Sequence, residues 1–332
     1  SQAAQAVEKA DRGESYYDQQ RGCFFGYIYN NALGTGSHFL CSVPNSYDPS
    51  RKYPLVYTLH AGGAVLEPHD APIERDYIEV SPWGHGYNSF RGMGEVAARE
   101  VLAYALRRYS IDENRVYVGG HSNGGNGTWF LTTRYPRFWA AASVSAGEPL
   151  NHLFFENMGN IAVLNRCGAL DTGQPVNIIQ WAESRLKQLG YPMDLRIFPE
   201  EGHGRQAPFD AEAWRAEYVR DPSPRKVSHS CEWAAHGESY WFSIKRLADP
   251  HNVARVDAEV SSEDDRQTLI LKPVNVEALA LAVPAMPVDG DKDLSIDLSG
   301  VIREFQAPLP PEPVSYTHLR AHETLKQISY DV

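Results

Sequence analysis

Ser122 sits at the centre of Gly120-His121-Ser122-Asn123-Gly124, between the β-branched run Arg115-Val116-Tyr117-Val118 and an apolar stretch through Trp129-Phe130-Leu131. A strand that turns sharply into a helix at a serine lifts the hydroxyl clear of the sheet, and flanking glycines remove side chains that would collide there. The helix behind such a serine aims free backbone N–H groups at the oxyanion of an acyl-transfer reaction. A serine hydroxyl is a weak nucleophile at neutral pH, so it needs a base within hydrogen-bond reach and an acid to orient that base. His203, in Glu200-Glu201-Gly202-His203-Gly204 after the run Asp194-Leu195-Arg196-Ile197-Phe198, is the expected base. Asp171, in a loop after Ile161-Ala162-Val163-Leu164, is the expected acid. Both lie just past the ends of predicted strands, where open α/β sheets gather their chemistry.

Each of these residues has a plainer reading. In a chain with 26 glycines, Gly-x-Ser-x-Gly is often no more than a turn. A single histidine is more often a surface or packing residue, and an aspartate ahead of a helix is often its N-cap, here for a helix starting near Val176. The order Ser, Asp, His, with each residue at a strand end, favours the chemical reading. Asp194 is a weaker acid, because it begins a strand. His121 is held inside the turn, and His229 and His236 fall in a later β-rich region. The second strand-like run, Tyr53-Pro54-Leu55-Val56-Tyr57-Thr58-Leu59, leads into His60-Ala61-Gly62-Gly63. The expected oxyanion donors are the N–H of Asn123 and that of Ala61 or Gly62. Trp83, His85, Tyr87 and Phe90, in the loop after Tyr77-Ile78-Glu79-Val80, are expected pocket walls, although surface packing fits them as well.

The elements that must hold these groups follow from patterning. Residues 1–20 are polar and read as a loosely held N-terminal segment. Cys23 to Tyr29 and His38 to Val43 read as a hairpin, in which Cys23 and Cys41 are either a cross-strand bridge or, more simply, free thiols. Within 21–222, short β-branched runs alternate with helix-length stretches, which predicts a mainly parallel sheet with helices on both faces. Helices are expected over Glu95 to Tyr109, Asn126 to Arg134 and Val176 to Leu189, the last ended by Gly190 and Pro192. Asp221-Pro222-Ser223-Pro224 reads as a linker to a small all-β appendage over 226–306. Trp233 or Trp241 there could stack on a sugar ring, although aromatic residues at strand spacing more often belong to a core. The stretch from Val314 to Thr324 resembles translated adaptor sequence, so 314–332 is expected to be a non-native tail lying outside the fold.

The net charge of -11, with no Lys/Arg cluster, argues against nucleic acid or an anionic membrane as partner. No apolar run reaches the roughly 18 residues of a membrane-crossing helix. No Cys/His spacing resembles a zinc site, and His69, His85, His152 and His251 are scattered, so neither metal nor cofactor is expected.

Across residues 40–215 the chain resembles the secreted α/β-hydrolase esterases grouped with polyhydroxybutyrate depolymerases, feruloyl and acetylxylan esterases and the catalytic domain of prolyl oligopeptidases. The residues that carry the resemblance are Tyr53 to His60, Asp112-Glu113-Asn114-Arg115-Val116-Tyr117, Gly120 to Gly125 and Glu201-Gly202-His203. It departs from the family at Ala61, where a glycine is usual, and at Asn123, where methionine is common; both donors are backbone N–H groups, so the departures bear on pocket shape. The resemblance implies an α/β-hydrolase fold and a serine carboxylic-ester hydrolase acting on a small-molecule or polysaccharide-linked ester, foremost feruloyl or acetyl groups on xylan. It also implies a secreted or periplasmic location with the leader removed. Alternatives are a polyester depolymerase, a prolyl-oligopeptidase-like peptidase, disfavoured by the short stretch before Tyr53, and a non-catalytic carbohydrate-binding protein on a hydrolase fold.

Overall fold

The computed structural model describes residues 20–63, 65–68, 73–149, 154–191, 193–204, 211–263, 266–317 and 328–329, with Glu8 and Arg12 besides. The expected N-terminal segment, His69, His152, Pro192 and most of the stretch after position 317 lie outside the described residues.

Eight strands form one sheet: β1 (Gly22–Asn30), β2 (Thr35–Val43), β3 (Tyr53–Leu59), β4 (Ile78–Pro82), β5 (Ile111–His121), β6 (Ala141–Ser145), β7 (Ala162–Gly168) and β8 (Met193–Phe198). Their spatial order is β1-β2-β4-β3-β5-β6-β7-β8, and from β4 across to β8 every neighbour is parallel. The helices are α1 (Met93–Arg108), α2 (Asn123–Arg134), α3 (Val176–Gln188) and the short α4 (Ala211–Ala216). The period-two alternation of a strand divides its side chains between the two faces. In β3, Leu55, Tyr57 and Leu59 join Val101 of α1, Trp129 of α2 and Ile179 of α3 in the main core, whereas Val56 turns to the other face with Tyr117, Leu164 and Trp214 of α4. The sheet is therefore covered on both faces, as expected.

The β1–β2 hairpin is longer than the edge it pairs with. β1 and β2 are in register over all of Gly22–Val43, but β2 meets β4 only at Phe39–Ser42. Because Phe39 lies opposite Pro82, the last residue of β4, the half of the hairpin from Tyr27 to His38 extends beyond the carboxyl ends of the parallel strands. Cys23 pairs with Ser42 and Cys41 with Phe24, so the two thiols point to opposite faces and all four cysteines are free.

The appendage contains β9 (Lys226–Cys231), β10 (Phe242–Leu247), β11 (Ala254–Glu263), β12 (Arg266–Val274), β13 (Val276–Leu281), β14 (Leu294–Leu298), β15 (Val301–Phe305), β16 (Val314–Thr317) and β17 (Ile328–Ser329). They form two sheets, β10-β13-β16-β17 and β15-β14-β12-β11-β9, whose inner faces share one apolar core. Trp241 is fully buried there, its Nε1–H donating to Pro224 O at 2.9 Å, so it is a core residue and no sugar platform; Trp233 is 61 % exposed.

The expectation that the chain leaves the fold at 314 needs correction. Val314–Thr317 pairs antiparallel with β13, and both Val314 and Leu309 belong to the appendage core. The free edge of β13 presents unpaired backbone groups, and a four-residue extended run suffices to pair them. Such a run is too short for its alternation to register in the sequence.

Candidate active site

The carboxyl end of β5 delivers Ser122 in a backbone conformation that L-residues rarely adopt, φ 55° and ψ -115°. The turn closes because its glycines lack side chains: a Cβ on Gly124 would run into the carbonyl oxygens of Leu59 and His60 at the end of β3. The Ser122 N–H donates to Ser145 O at 2.9 Å, tying the turn to the end of β6.

Ser122 Oγ lies 2.7 Å from His203 Nε2, and His203 Nδ1 lies 2.8 Å from Asp171 Oδ2. The Nδ1–H donating to the carboxylate leaves Nε2 free to accept the serine proton. The second Asp171 oxygen accepts the N–H groups of Gly173 at 2.8 Å and Gln174 at 2.9 Å. Burial pushes the Asp171 carboxyl up, but the bond to His203, the two backbone N–H bonds and the nearby imidazole outweigh it and hold the group below its ordinary value. The side chain is fully buried, whereas that of His203 is 43 % exposed, so the site opens to solvent at the base. The plainer reading of Asp171 does not apply: α3 has Pro175 at its N-cap and no side-chain cap.

The competing residues are engaged elsewhere. Asp194 pairs with Arg196 at 2.7 Å. His121 Nδ1 lies 3.0 Å from Ser145 Oγ, with its ring 5.4 Å from that of His203. His229 and His236 are buried in the appendage. One acid escaped the sequence reading. Glu148 follows β6 just as Asp171 follows β7, a position that could have flagged it, and its N–H donates to Asn126 Oδ1 and Gln174 Oε1. Burial and the nearby Asp171 raise its pKa.

Ala61 and Gly62 follow β3 on the same edge as Ser122, and among the described residues no acceptor takes their N–H groups. Asn123 opens α2, whose first N–H groups have no intrahelical acceptor. The Asn123 side chain has a separate task that the sequence did not reveal. It is 1 % exposed, and its Oδ1 accepts both the N–H of Ser89 at 2.8 Å and the Ser89 hydroxyl at 3.1 Å. This fastens the loop after β4 to the serine turn. His60 braces the same junction, its ring nitrogens 2.8 Å from Ala61 O and 2.7 Å from Trp83 O.

That loop is strained. His85, Ser89 and Phe90 all have φ between 52° and 56°, a conformation costing on the order of 1–3 kcal/mol per residue unless surroundings enforce it. Phe90 supplies part of the enforcement. It is fully buried against Gly84, Gly127 and His60, so its expected role as a pocket wall is corrected to that of a support. Tyr87 is 74 % exposed and lies over Gly62, while Trp83 and His85 are half-buried with ring centroids 5.4 Å apart. Among the described residues no group of His, Cys, Asp and Glu is placed to hold a metal ion, and no helix is long and apolar enough to cross a membrane.

No protein-family model and no curated protein sequence matches the chain. Among solved structures it is similar to a thermostable esterase, with 20 % identity over 60 % of this chain and 63 % of the other, at a TM-score of 0.51. It also aligns with a putative dipeptidyl aminopeptidase IV from Bacteroides ovatus (16 % identity, 61 % of this chain and 36 % of the other, TM-score 0.48). A ferulic acid esterase aligns at 15 % identity over 60 % of this chain and 94 % of the other, with a TM-score of 0.43. The chain thus spans less than two thirds of the length of the first two. The likeness establishes the fold: residues 22–216 adopt the α/β-hydrolase arrangement, with an additional all-β unit behind it.

Proposed function

We propose that the chain is a serine carboxylic-ester hydrolase working through an acyl-enzyme. The observation that carries this reading is the unbroken chain from Ser122 Oγ to His203 to Asp171, at 2.7 and 2.8 Å, on an open carboxyl edge of the sheet. In this reading Ser122 Oγ attacks the ester carbonyl as His203 Nε2 takes its proton, and Asp171 holds the resulting imidazolium. The oxyanion receives the N–H groups of Asn123 and of Ala61 or Gly62. Loss of one such donor costs about 2.7–4 kcal/mol of transition-state stabilisation. Collapse of the tetrahedral intermediate breaks the ester C–O bond, and His203 returns the proton to the leaving alcohol. Water, activated by the same imidazole, then releases the acid.

The substrate class we propose is a plant cell-wall ester, feruloyl or acetyl on xylan. Support comes from the exposed base, which leaves room for a bulky leaving group, and from Trp83, His85 and Tyr87 beside the oxyanion loop. A panel of 4-nitrophenyl acetate, methyl ferulate, acetylxylan, a polyester film and a proline anilide tests the reading. Turnover of the esters, lost in Ser122→Ala, is expected. Cleavage of the anilide alone would overturn it.

A further inference from the structure

The overhanging half of the β1–β2 hairpin carries exposed aromatic side chains outside the apolar cores of the described residues. Tyr27 and Tyr29 are 60 % and 68 % exposed, and as i, i+2 neighbours they share one face of β1. Phe24 and Ile28 take the opposite face, against the main core. Tyr27 lies opposite His38 in register, with ring centroids 6.0 Å apart. The His38 ring stacks on Trp83 at 4.5 Å, Trp83 neighbours His85 at 5.4 Å, and two residues on Tyr87 covers Gly62 of the oxyanion loop. Ring contacts therefore join Tyr27 on the hairpin to Trp83 and His85 in the loop after β4, with Tyr29 next on the same strand face and Tyr87 at the inner end beside Gly62. The inner end is held rigid by the strained loop that Asn123 and Phe90 fasten to the serine turn. None of the six is an acid, a lysine or an arginine, and partial burial together with the neighbouring His85 lowers the His38 pKa.

We propose that this strip is an extended subsite for the polymer that bears the ester, and that the polymer is a neutral glycan chain; this rests on the ester-hydrolase reading above. Sugar rings have apolar faces and hydroxyl edges, which match tyrosine, tryptophan and imidazole rings that offer a flat face and a hydrogen-bonding edge. The strip is continuous with the oxyanion loop, so a chain seated on it would bring a pendant ester to Ser122.

The test uses the double variant Tyr27→Ala/Tyr29→Ala, which removes two exposed rings that make no hydrogen bond to the triad among the described residues. Turnover of 4-nitrophenyl acetate should stay within twofold of the parent, while KM for acetylated or feruloylated xylan rises roughly five- to twentyfold with kcat unchanged. Affinity electrophoresis in arabinoxylan, run with Ser122→Ala alone and combined with the double variant, reads binding without turnover. Retardation of the parent that the added substitutions abolish supports the proposal. Equal or absent retardation of both proteins, equal losses on xylan and aryl ester, or retention on polyester film but not on arabinoxylan would each overturn it. Failure of the intact protein to cleave the aryl ester would instead remove the ester-hydrolase reading.

Discussion

In the proposed reaction Ser122, His203 and Asp171 act as a unit, and losses within such a unit do not add. Ser122→Ala and His203→Ala are expected to bring aryl-ester turnover to a common floor, with melting temperature unchanged because neither opens a cavity. Asp171→Asn should lower kcat by up to about 10⁴-fold, since an amide at that position would favour the wrong imidazole tautomer. Asp194→Asn should leave kcat alone, because that carboxylate faces Arg196. A large loss in Asp194→Asn would move the acid. Asn123→Ala keeps its backbone donor but releases the loop bearing Trp83, His85 and Tyr87. Leaving the Ser89 N–H without its acceptor should cost about 1–3 kcal/mol, read as a lower denaturation midpoint and a raised KM for bulky esters.

At the scale of elements, the strand ends that meet at Ser122 leave no space to spare. Gly124→Ala should therefore disrupt the turn and abolish both activity and native stability, whereas Gly190→Ala strains only a helix end. In the appendage, β9 carries His229 fully buried, donating from Nε2 to His236 O at 2.7 Å, with no partner at Nδ1. Burial lowers its pKa to about 4. Between that value and the ordinary imidazole range the unfolded chain binds a proton that the folded one refuses, so stability is full above about pH 6.5 and falls as pH drops toward 4. At pH 5 the loss is about 2 kcal/mol relative to pH 7. Denaturant midpoints of the parent and His229→Gln at the two pH values check this: the variant should show the smaller pH dependence, and equal slopes would refute the assignment.

Across the whole molecule, the appendage is bolted to the end of the serine helix. Arg134, the last residue of α2, reaches His236 Nδ1 at 3.0 Å and Glu232 at 3.2 Å, while His236 Nε2 lies 3.1 Å from Glu95 of α1 and Tyr135 donates to the same carboxylate. With its side chain 6 % exposed, Arg134 is a buried charge among partners, and Arg134→Ala should destabilise by about 3–5 kcal/mol by leaving Glu232 and His236 Nδ1 without their donor. Leu309 and Val314 tie the chain end into the appendage core. Truncation after Pro308 removes the buried Leu309 and Val314, each worth about 1.5–3 kcal/mol, and should lower the melting temperature by several degrees. Truncation after Thr317, which among the described residues removes only the two-residue edge strand β17, should lower melting by less and leave aryl-ester turnover unchanged.

Periodicity and glycine placement determined the main lines: alternating runs imply a covered parallel sheet, and Gly-x-Ser-x-Gly after a β-branched strand implies a strained turn, because both are local consequences of side-chain size and spacing. The order Ser122, Asp171, His203 was legible for the same reason, each residue lying just past a short apolar run. What depended on residues distant in sequence was not. The bond from Asn123 to Ser89, the burial of Phe90, the placing of Glu148 near Asp171 and the seating of Val314 against β13 arise only when separate segments meet. The aromatic strip is of this kind too: it unites β1, β2 and the loop after β4 through a register offset that no single stretch of the chain encodes.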